Sequence, residues 1–510
     1  VFAQHPALQS IALIAVLGLI CVVFVSQVLQ PFLFNFLIQS RTDKGFMPFT
    51  ILSLIKSVFA FMHFVIGCLL VSFAGIFLVR LRLFGKERGK SIFHYILNKY
   101  TSSVIYLNHK FGQQVIKAPG VNFDRPAVYI ANHSSFLDIL IMTMLHPKLV
   151  LLTNKWVYRS PVFGAVVRMA EYYPVADGAA ESIEPLRGLV ARGYSIVVFP
   201  EGTRSKTDKI ARFHKGAFFI AEELKLDIIP VILHGVHYTM QKGDFLLKNG
   251  FMHIEALPPI AYTDRSWGDT VKDRTKSIAQ YFRKEFNYVK ATIETPTYFR
   301  EQLVKGYIYK GPVLEWYCRI KTRLEDNYEL LHTLLPREGR FYDLGCGYGF
   351  ATYLLHWASE ARTFTGVDYD EEKISTAQHH YKRTEKINFE TGDISSYNLL
   401  PCTGIIVSDV LHYLTPAAQL AVLEKCYTAL EPGGVLIIRD GIKELAERHK
   451  GTELSEQFST HIMGFNKTKN ELHFIYKKDI ETWAAKYDMQ IKIIDNTKNT
   501  SNIMMLLYKS

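Results

Sequence analysis

The chain has 510 residues, of which 48% are hydrophobic and 21% are charged, a balance that excludes a largely disordered protein. At about 150 residues per domain, the length predicts two to four domains. Six cysteines occur without a CxxC pair, so the sequence supports neither a disulfide scaffold nor a zinc ribbon, and we expect a reduced protein that faces the cytosol. The net charge of +11 fits a phosphorylated substrate or anionic lipid. Because no zinc-finger, RRM or basic-zipper pattern is present, we predict no nucleic-acid partner.

Two apolar segments come first along the chain. Residues 6–40 contain no Asp, Glu, Lys, Arg or His, and the most apolar part, 11–28, is as long as a transmembrane helix, which needs about 17–25 apolar residues. A second segment, 57–79, has His63 as its ionisable residue. The basic residues that follow predict a cytoplasmic end in contact with anionic lipid: Arg80, Arg82, Lys86, Arg88 and Lys90.

Alternatives exist for both segments. A signal peptide is disfavoured for the first because no basic region precedes it and the apolar run is too long. A buried core helix is the alternative for the second, which otherwise fits either a full span or a re-entrant hairpin. The chain starts at Val1 rather than Met, so we expect that the first helix can be the last span of a longer membrane domain.

A histidine and an aspartate follow the first buried strand that we predict, 126–131. The spacing is His133-x4-Asp138, and residues five apart on a regular helix lie about 140° apart. The two side chains therefore meet only if His133 precedes the helix. In that arrangement Asp138 accepts a hydrogen bond from one imidazole nitrogen, and the other nitrogen is left as a base. The alternative is a capping turn with an incidental histidine.

Two more strands follow in the same region. Residues 195–200 form a short apolar strand that ends in the polar loop Glu201-Gly202-Thr203-Arg204-Ser205, and residues 227–235 form a third strand that contains Pro230. Loops at strand ends are where α/β proteins place ligands. The glycine and the fixed cation of this loop therefore predict a binding site.

The motifs NHSSFLD, FPEGTRS and IIPVILHG, in this order, resemble the PlsC-type glycerolipid acyltransferases over roughly residues 80–290. The resemblance implies acyl transfer from acyl-CoA or acyl-carrier protein to a lysolipid-type acceptor, with His133 as general base and Asp138 as its orienting partner. It also implies a group that holds the acceptor or donor phosphate: Lys155, Glu201, Gly202, Thr203 and Arg204. A thioester is already activated, so this chemistry needs a base and an oriented alcohol, and we predict no metal.

One position departs from the family. The family often has an arginine near the acceptor phosphate, after a proline, and here Asp177 occupies that place. A carboxylate about 4 Å from a phosphate would cost about 4 kcal/mol at an effective dielectric of about 20. We therefore hypothesise that the acceptor is not lysophosphatidate held at that spot, and that an amino-acid lipid or another non-phosphate acceptor fits better.

A second α/β pattern begins with a glycine-rich turn. The motif is Asp343-Leu-Gly345-Cys-Gly347-Tyr-Gly349, and a second strand ends in Asp368, 25 residues after Asp343. Such a turn lets a nucleotide approach the backbone, and the acid can accept both ribose hydroxyls. A NAD site is the competing interpretation.

Three features favour a different nucleotide: the Asp-x-Gly-x-Gly-x-Gly spacing, Gly392-Asp393 after a third strand, and the turn at 430–434 into a fifth strand. Together they resemble the class I S-adenosylmethionine-dependent methyltransferases, over about residues 300–510. The resemblance implies that Asp343 and the glycines surround the methionine part of S-adenosylmethionine, that Asp368 holds the ribose, and that Asp393 and Ile394 contact the adenine. Asp409 and His412 would lie on the acceptor side, with His412 either a base or a structural residue.

The sequence therefore predicts an α/β protein with four parts: membrane helices (1–79), a PlsC-like acyltransferase domain (80–290), a helical connector (291–336) and a Rossmann-like class I methyltransferase domain (337–510). The layout resembles bacterial fusions in which an exporter-like membrane domain precedes two such enzymes. We expect a bifunctional lipid-modifying enzyme at the bacterial inner membrane, with both domains facing the cytoplasm. The alternatives are a transporter with accessory enzymatic domains and a catalytically silent lipid-binding scaffold.

Overall fold

The computed structural model describes residues 5–108, 114–174, 182–325, 327–448, 472–495 and 501–510. The chain divides into two units, residues 49–292 and residues 1–48 together with 293–510. Asp177, the position at which the sequence departs from the acyltransferase pattern, lies outside the described residues. The bounds of the four predicted parts stay predictions.

Two long apolar helices precede the α/β parts, α1 (Pro6–Thr42) and α2 (Ile51–Arg80). Both are long and apolar enough to cross a membrane, by length and composition. Residue Thr50 caps α2, because its side chain accepts a hydrogen bond from the backbone N–H of Ser53 at 3.1 Å. The most apolar stretch of α1 is 0% buried, whereas that of α2 is 22% buried.

Helix α2 has two different faces. Its small residues are buried at helical spacing: Ser53, Ser57, Ala60, Gly67, Cys68, Val71 and Gly75. This face packs along α3 (Lys86–Asn108), and a Cβ atom on Gly67 would lie 2.1 Å from the ring of Tyr100. Large side chains such as Ile55, Phe59 and Leu70 cover the exposed face. Helix α2 therefore packs on protein along one face and exposes large apolar side chains along the other.

The first unit is built on a seven-stranded sheet in the order β1-β7-β6-β2-β5-β3-β4. All neighbouring strands are parallel except β6 and β7. The strands are β1 (Gln114–Lys117), β2 (Val128–Ala131), β3 (Leu149–Thr153), β4 (Tyr173–Pro174), β5 (Ser195–Val198), β6 (Ile228–His234) and β7 (His253–Ala256). The helices are α4 (Leu137–Leu145), α5 (Lys155–Tyr158), α6 (Gly164–Met169), α7 (Ile183–Ala191), α8 (Gly216–Leu224), α9 (Val236–Thr239) and α10 (Val271–Ile293). Strands β2 and β5 are neighbours, so the loops after them lie at the same edge of the sheet.

The second unit contains a seven-stranded sheet in the order β10-β9-β8-β11-β12-β14-β13, parallel except for the last strands, where β14 pairs antiparallel with β12 and β13. The strands are β8 (Gly339–Leu344), β9 (Arg362–Asp368), β10 (Ile387–Thr391), β11 (Cys402–Ser408), β12 (Leu430–Gly441), β13 (Gln490–Ile494) and β14 (Asn502–Tyr508). The helices are α11 (Pro296–Gly306), α12 (Pro312–Leu324), α13 (Asn327–Leu334), α14 (Phe350–Trp357), α15 (Glu371–Gln378), α16 (Pro416–Ala429) and α17 (Lys477–Lys486). The mixed α/β fold with two sheets is confirmed.

A fully buried arginine holds the helices of this sheet together at their ends. The guanidinium of Arg362 donates hydrogen bonds to four carbonyl oxygens, at 2.7–3.0 Å, those of His332, Leu335, Pro336 and Leu355. The last carbonyls of a helix have no partner within the helix. Arg362 therefore satisfies carbonyls near the ends of α13 and α14 at once.

Candidate active sites

The loop between β2 and α4 begins with an asparagine that extends the sheet. The side chain of Asn132 donates to the carbonyl oxygen of Leu233 at 2.9 Å and accepts from its N–H at 2.8 Å. Leu233 lies on β6, the strand beside β2. This two-way pairing fixes the backbone just before His133.

The imidazole of His133 contacts the carboxylate of Asp138, with 3.0 Å between Nδ1 and Oδ2. The same carboxylate oxygen accepts hydrogen bonds from the backbone N–H groups of Ser134 and Ser135, both at 2.7 Å. Asp138 is 0% exposed and lies in the first turn of α4, whereas His133 precedes the helix. The turn therefore brings together two residues that a regular helix would separate.

The hydrogen bonds define the proton positions on this pair. A carboxylate that accepts two N–H groups is an acceptor, so the imidazole Nδ1 carries the hydrogen that points at Asp138. The ring of His133 stacks on Phe199, with 4.3 Å between centroids. The stacked ring, 13% exposed, is thereby held with Nε2 as the remaining basic nitrogen.

The loop after β5 is tied to the histidine loop by Glu201. One carboxylate oxygen of Glu201 accepts from the N–H of His133 at 2.8 Å, and the other accepts from the N–H of Ala211 at 2.9 Å. A third link runs from the N–H of Ser205 to the carbonyl oxygen of His133 at 2.7 Å. Burial raises the pKa of Glu201, against the lowering effect of the two amides. The carboxylate of Glu201 is thus directed at the backbone.

The other predicted phosphate-binding residues occupy the surface around the same loop. Gly202 and Thr203 are exposed, and Arg204 is half-buried. Lys242 supports the loop, because its Nζ donates to the carbonyl oxygen of Arg204 at 2.8 Å. Lys155 is exposed at the start of α5. Arg204 and Lys242 therefore bring positive charge to the loop after β5, which is hydrogen-bonded to the histidine loop.

A cavity of about 250 Å³ opens beside His133. Its polar lining includes Gly202 and His214, and its apolar lining includes Leu151, Val198 and Ile220. Sequence reasoning missed His214, because it lies 14 residues beyond the strand that carries the motif. The cavity gives the histidine an apolar neighbourhood on one side and a basic surface on the other.

The glycine-rich turn in the second unit follows β8. Gly345 and Gly347 have φ of +78° and +54°, a backbone region that side chains rarely adopt. The N–H groups of Gly345 and Cys346 donate to the carbonyl oxygen of Val367 on β9, at 2.8 and 3.1 Å. Gly349 has φ of +75° and begins α14, where a Cβ atom would lie 2.5 Å from Phe389. Gly349 therefore permits close packing between α14 and β10. It is not among the described residues that line the cavity at this turn.

A cavity of about 410 Å³ lies at this turn. The predicted residues that line it are Asp343, Gly345, Gly347, Asp368, Asp393, Ile394 and Asp409. A Cβ atom on Gly347 would meet nothing within 4 Å, so the absence of a side chain there leaves open space. The space, the acid at the end of β9 and the exposed backbone fit S-adenosylmethionine.

The acids of this cavity are held in different ways. One carboxylate oxygen of Asp368 accepts from the N–H of Gly347 at 2.8 Å, and the other accepts from the N–H of Asp370 at 2.9 Å. Asp343 is 3% exposed and accepts from the hydroxyl of Thr352 at 2.6 Å. Burial raises the pKa of Asp343 to about 6, and the nearby Asp368 adds to this, against the Thr352 hydrogen bond.

The two candidate acceptor-side residues are separated by the structure. Asp409, with φ of +56°, lines the cavity and contacts the guanidinium of Arg439 and the amide of Asn502. His412 is 1% exposed, and its Nδ1 contacts Asp440 at 2.6 Å. Asp440 also accepts from the N–H of Leu411 at 2.8 Å. The geometry favours a structural role for His412, since it is not among the described residues that line the cavity.

Sequence reasoning missed one wall of the cavity. Residues from the segment that it predicted to be a connector line the space: Tyr317, Lys321, Glu325, Asn327, Tyr328 and Leu331. They project from α12 and α13 at helical spacing. The helical spacing can be recognised in the sequence, but it does not show which domain the helices pack against.

Comparisons with known proteins give two separate matches. Residues 109–234 match the family model described as Acyltransferase, and residues 341–434 match a model described as Methyltransferase domain. The chain therefore carries both domains, fused in one polypeptide, and both predicted resemblances are confirmed.

Curated relatives match the two parts separately. A 1-acyl-sn-glycerol-3-phosphate acyltransferase of Cocos nucifera is 34% identical over 144 residues, which cover 27% of this chain and 47% of the relative. A chloroplastic 1-acyl-sn-glycerol-3-phosphate acyltransferase of Brassica napus is 29% identical over 205 residues, which cover 38% of this chain and 59% of the relative. A carboxy-S-adenosyl-L-methionine synthase of Chromohalobacter salexigens is 35% identical over 122 residues, 22% of this chain and 45% of the relative. The chain thus spans about half the length of the curated relatives it matches.

Among solved structures, the 1-acyl-sn-glycerophosphate acyltransferase PlsC of Thermotoga maritima superposes with a TM-score of 0.40 and 19% identity. The match covers 47% of this chain and 97% of that structure.

Proposed function

Because one polypeptide carries an acyltransferase domain and a methyltransferase domain, we propose that it is a membrane-associated, bifunctional lipid-modifying enzyme. One reaction transfers an acyl group from acyl-CoA or acyl-carrier protein to a lysolipid-type acceptor. The other transfers a methyl group from S-adenosylmethionine to an acceptor that is itself lipid-linked. The observation that carries the proposal is the contact between His133 and Asp138, held by two backbone amides beside a cavity.

In the acyl transfer, His133 acts as the general base. Its Nε2 removes the proton from the acceptor hydroxyl while the oxygen attacks the thioester carbonyl carbon, and the imidazolium that forms is stabilised by Asp138. The carbon–sulfur bond then breaks, and Nε2 returns the proton to the thiolate leaving group. The ordering of the imidazole by Asp138 and Phe199 supports this role, since a fixed base contributes about 10²–10⁴-fold.

The basic groups near His133 hold phosphate. Arg204 and Lys155 provide the cations, and the exposed backbone at Gly202 and Thr203 permits close approach of a phosphorylated donor or acceptor. Glu201 contributes differently from the prediction: its hydrogen bonds to His133 and Ala211 support a role in ordering the loop. The apolar part of the cavity, with Leu151 and Ile220, is suited to an acyl chain.

The methyltransferase site is formed by the turn after β8. S-adenosylmethionine, when bound, supplies an activated methyl group. Asp343 and the glycine turn would hold its amino-acid part, Asp368 its ribose, and Asp393 with Ile394 its adenine. Methyl transfer needs in-line positioning of a nucleophile, and a dedicated base is not required, in keeping with the burial of His412.

The apolar helices support a membrane location. Helix α2 packs its small residues on α3 and exposes large apolar residues such as Phe59 and Leu70, which a lipid surface would cover. We place both catalytic domains on the cytoplasmic side of a bacterial inner membrane, because acyl thioesters and S-adenosylmethionine are cytosolic. A full chain that stays in the supernatant when the cell membranes are sedimented would contradict the membrane location.

The experiment that tests the function uses the full chain in detergent micelles, with separate assays for acyl and methyl transfer. His133→Ala is expected to lower acyl transfer by about 10²–10⁴-fold and to leave methyl transfer intact. Asp368→Ala is expected to lower methyl transfer and to leave acyl transfer intact. Acyl transfer to lysophosphatidate and to a lyso-aminolipid is compared in parallel. In a second measurement, mass spectrometry compares the lipids of cells that carry the wild type or either variant. The two alternative functions, a transporter with accessory enzymatic domains and a silent scaffold, both predict that neither variant changes the cellular lipids.

A further inference from the structure

One wall of the methyltransferase cavity comes from the helices that precede the sheet. Helix α12 contributes Tyr317 and Lys321, Glu325 follows directly after it, and α13 contributes Tyr328. The family model begins at residue 341, after these helices. Their side chains face the same cavity as the glycine turn, so they belong to the cofactor site as built in this chain.

The charges that line the cavity are unbalanced. Its described lining contains five carboxylates, Glu325, Asp343, Asp368, Asp393 and Asp409, and two ammonium groups, Lys321 and Lys373. Excess negative charge attracts the sulfonium and the amino group of S-adenosylmethionine, and repels the carboxylate of its amino-acid part. The site therefore needs a cation wherever that carboxylate lies.

The two lysines occupy different places along the sheet. Lys373 is on α15, just after β9, and its ammonium lies 5.9 Å from the ring centroid of Tyr348. It interacts electrostatically with Asp368 and Asp370, the acids at the end of β9. Lys373 thus belongs to the ribose side of the cavity.

The second lysine of the cavity lining, Lys321, lies on α12. Its Nζ is 3.4 Å from a carboxylate oxygen of Glu325 and 5.9 Å from the ring centroid of Tyr317. It interacts electrostatically with Asp409, which follows β11, and with Lys373, which follows β9. Lys321 lines the same cavity as Gly345 and Gly347 of the turn after β8.

We propose that Lys321 binds the carboxylate of the amino-acid part of S-adenosylmethionine. The inference rests on the proposed methyl transfer, and it makes α12 a part of the cofactor site. Asp343 would then attract the amino group of the ligand, and Lys321 would attract the carboxylate on the same carbon atom. Without a ligand, the Nζ of Lys321 lies 3.4 Å from a carboxylate oxygen of Glu325.

The test compares two ligands that differ by this carboxylate. The dissociation constants of S-adenosylmethionine and decarboxylated S-adenosylmethionine are measured by isothermal titration calorimetry on the full chain in detergent micelles. We expect the wild type to bind S-adenosylmethionine at least about tenfold more tightly, because the decarboxylated ligand cannot form the charge pair with Lys321. In Lys321→Met this preference should fall to about onefold, with the affinity for the decarboxylated ligand within about threefold of the wild type.

Matched variants separate charge from fold. Lys321→Arg should keep the preference, because it keeps a cation. Lys310→Met is the control, since Lys310 is exposed and pairs with Glu372 at 3.6 Å. Equal binding of both ligands by the wild type, or equal loss for both in Lys321→Met, would overturn the role of Lys321 alone. A wild type that binds neither ligand would overturn the proposed methyl transfer as well.

Discussion

The carboxylate of Glu201 accepts a hydrogen bond from the backbone N–H of His133, 2.8 Å away and 68 residues earlier in the chain. Its second oxygen accepts from the N–H of Ala211. One buried side chain therefore joins the histidine loop, the loop after β5 and the segment that follows it. The position of the catalytic base that we propose depends on a residue that does not touch its ring.

Replacement of Glu201 tests this dependence. In Glu201→Gln one acceptor becomes an NH₂ group, which faces a backbone N–H and leaves that N–H unsatisfied, at a cost of about 1–3 kcal/mol. We expect the acyl-transfer rate to fall at least about tenfold and methyl transfer to stay unchanged. The matched control is Glu223→Gln, because Glu223 is exposed on α8 of the same unit. Full acyl-transfer activity in Glu201→Gln would contradict the ordering role.

A glycine tests the cofactor cavity. Gly347 has φ of +54°, and a Cβ atom there would meet no protein atom within 4 Å, so Gly347→Ala adds a methyl group to the open space of the cavity. We expect the dissociation constant of S-adenosylmethionine to rise at least about tenfold, while the left-handed backbone costs about 1–2 kcal/mol of stability. Calorimetry gives the first quantity and thermal unfolding the second. Unchanged affinity would place the ligand elsewhere.

Much of both sites could be predicted from the sequence because the chemistry lies at strand ends. Short apolar strands predicted where β2, β5 and β9 end, to within about two residues, and some of the predicted residues at strand ends line the two cavities: His133, Gly202, Asp343 and Asp368. The spacing of His133 and Asp138 also predicted that the histidine precedes the helix, as it does.

The features that could not be predicted depend on contacts between residues that are distant along the chain. The sequence is consistent with His412 as a base and as a structural residue. Only the fold shows the contact between His412 and Asp440, which is 28 residues away. Lys242 and Arg204 come together in the same way. The small residues of α2 could have been found, since positions such as Ser53, Ser57 and Ala60 lie on one helical face within an otherwise bulky apolar run.

The cofactor affinity should depend on pH through Asp343. Its pKa is raised to about 6 by burial, with Asp368 adding to the rise and Thr352 opposing it. A cationic ligand favours the ionised carboxylate, so binding releases a proton below that pKa, and the affinity should increase about tenfold between pH 5 and 7. Calorimetry at pH 5, 6 and 7 measures this, and Asp343→Asn should remove most of the change.

The stability of the ligand-free protein should respond to the same group with the opposite sign. The ordinary pKa of Asp343 is 3.8 and its folded value is about 6, so the fold favours the protonated form. The stability that this group contributes is fully present below pH 3.8 and is lost as the pH rises through about 6. A thermal midpoint in Asp343→Asn that still declines as steeply as the wild type over this range would assign the decline to another group.

Arg362 offers a test of the fold beneath the cofactor site. Its guanidinium is 0% exposed and donates to four backbone carbonyl oxygens, which lose their partners in Arg362→Met. Buried carbonyls without donors cost about 1–3 kcal/mol each, so we expect a loss of at least about 3 kcal/mol, seen as a lower thermal midpoint for the methyltransferase unit. The control is Arg340→Met, because Arg340 is exposed and makes one long hydrogen bond to Pro401, at 3.4 Å. Since α13 carries Tyr328 in the cavity wall, the affinity for S-adenosylmethionine should fall together with the stability; a variant as stable as Arg340→Met would show that the helix ends are held by other contacts.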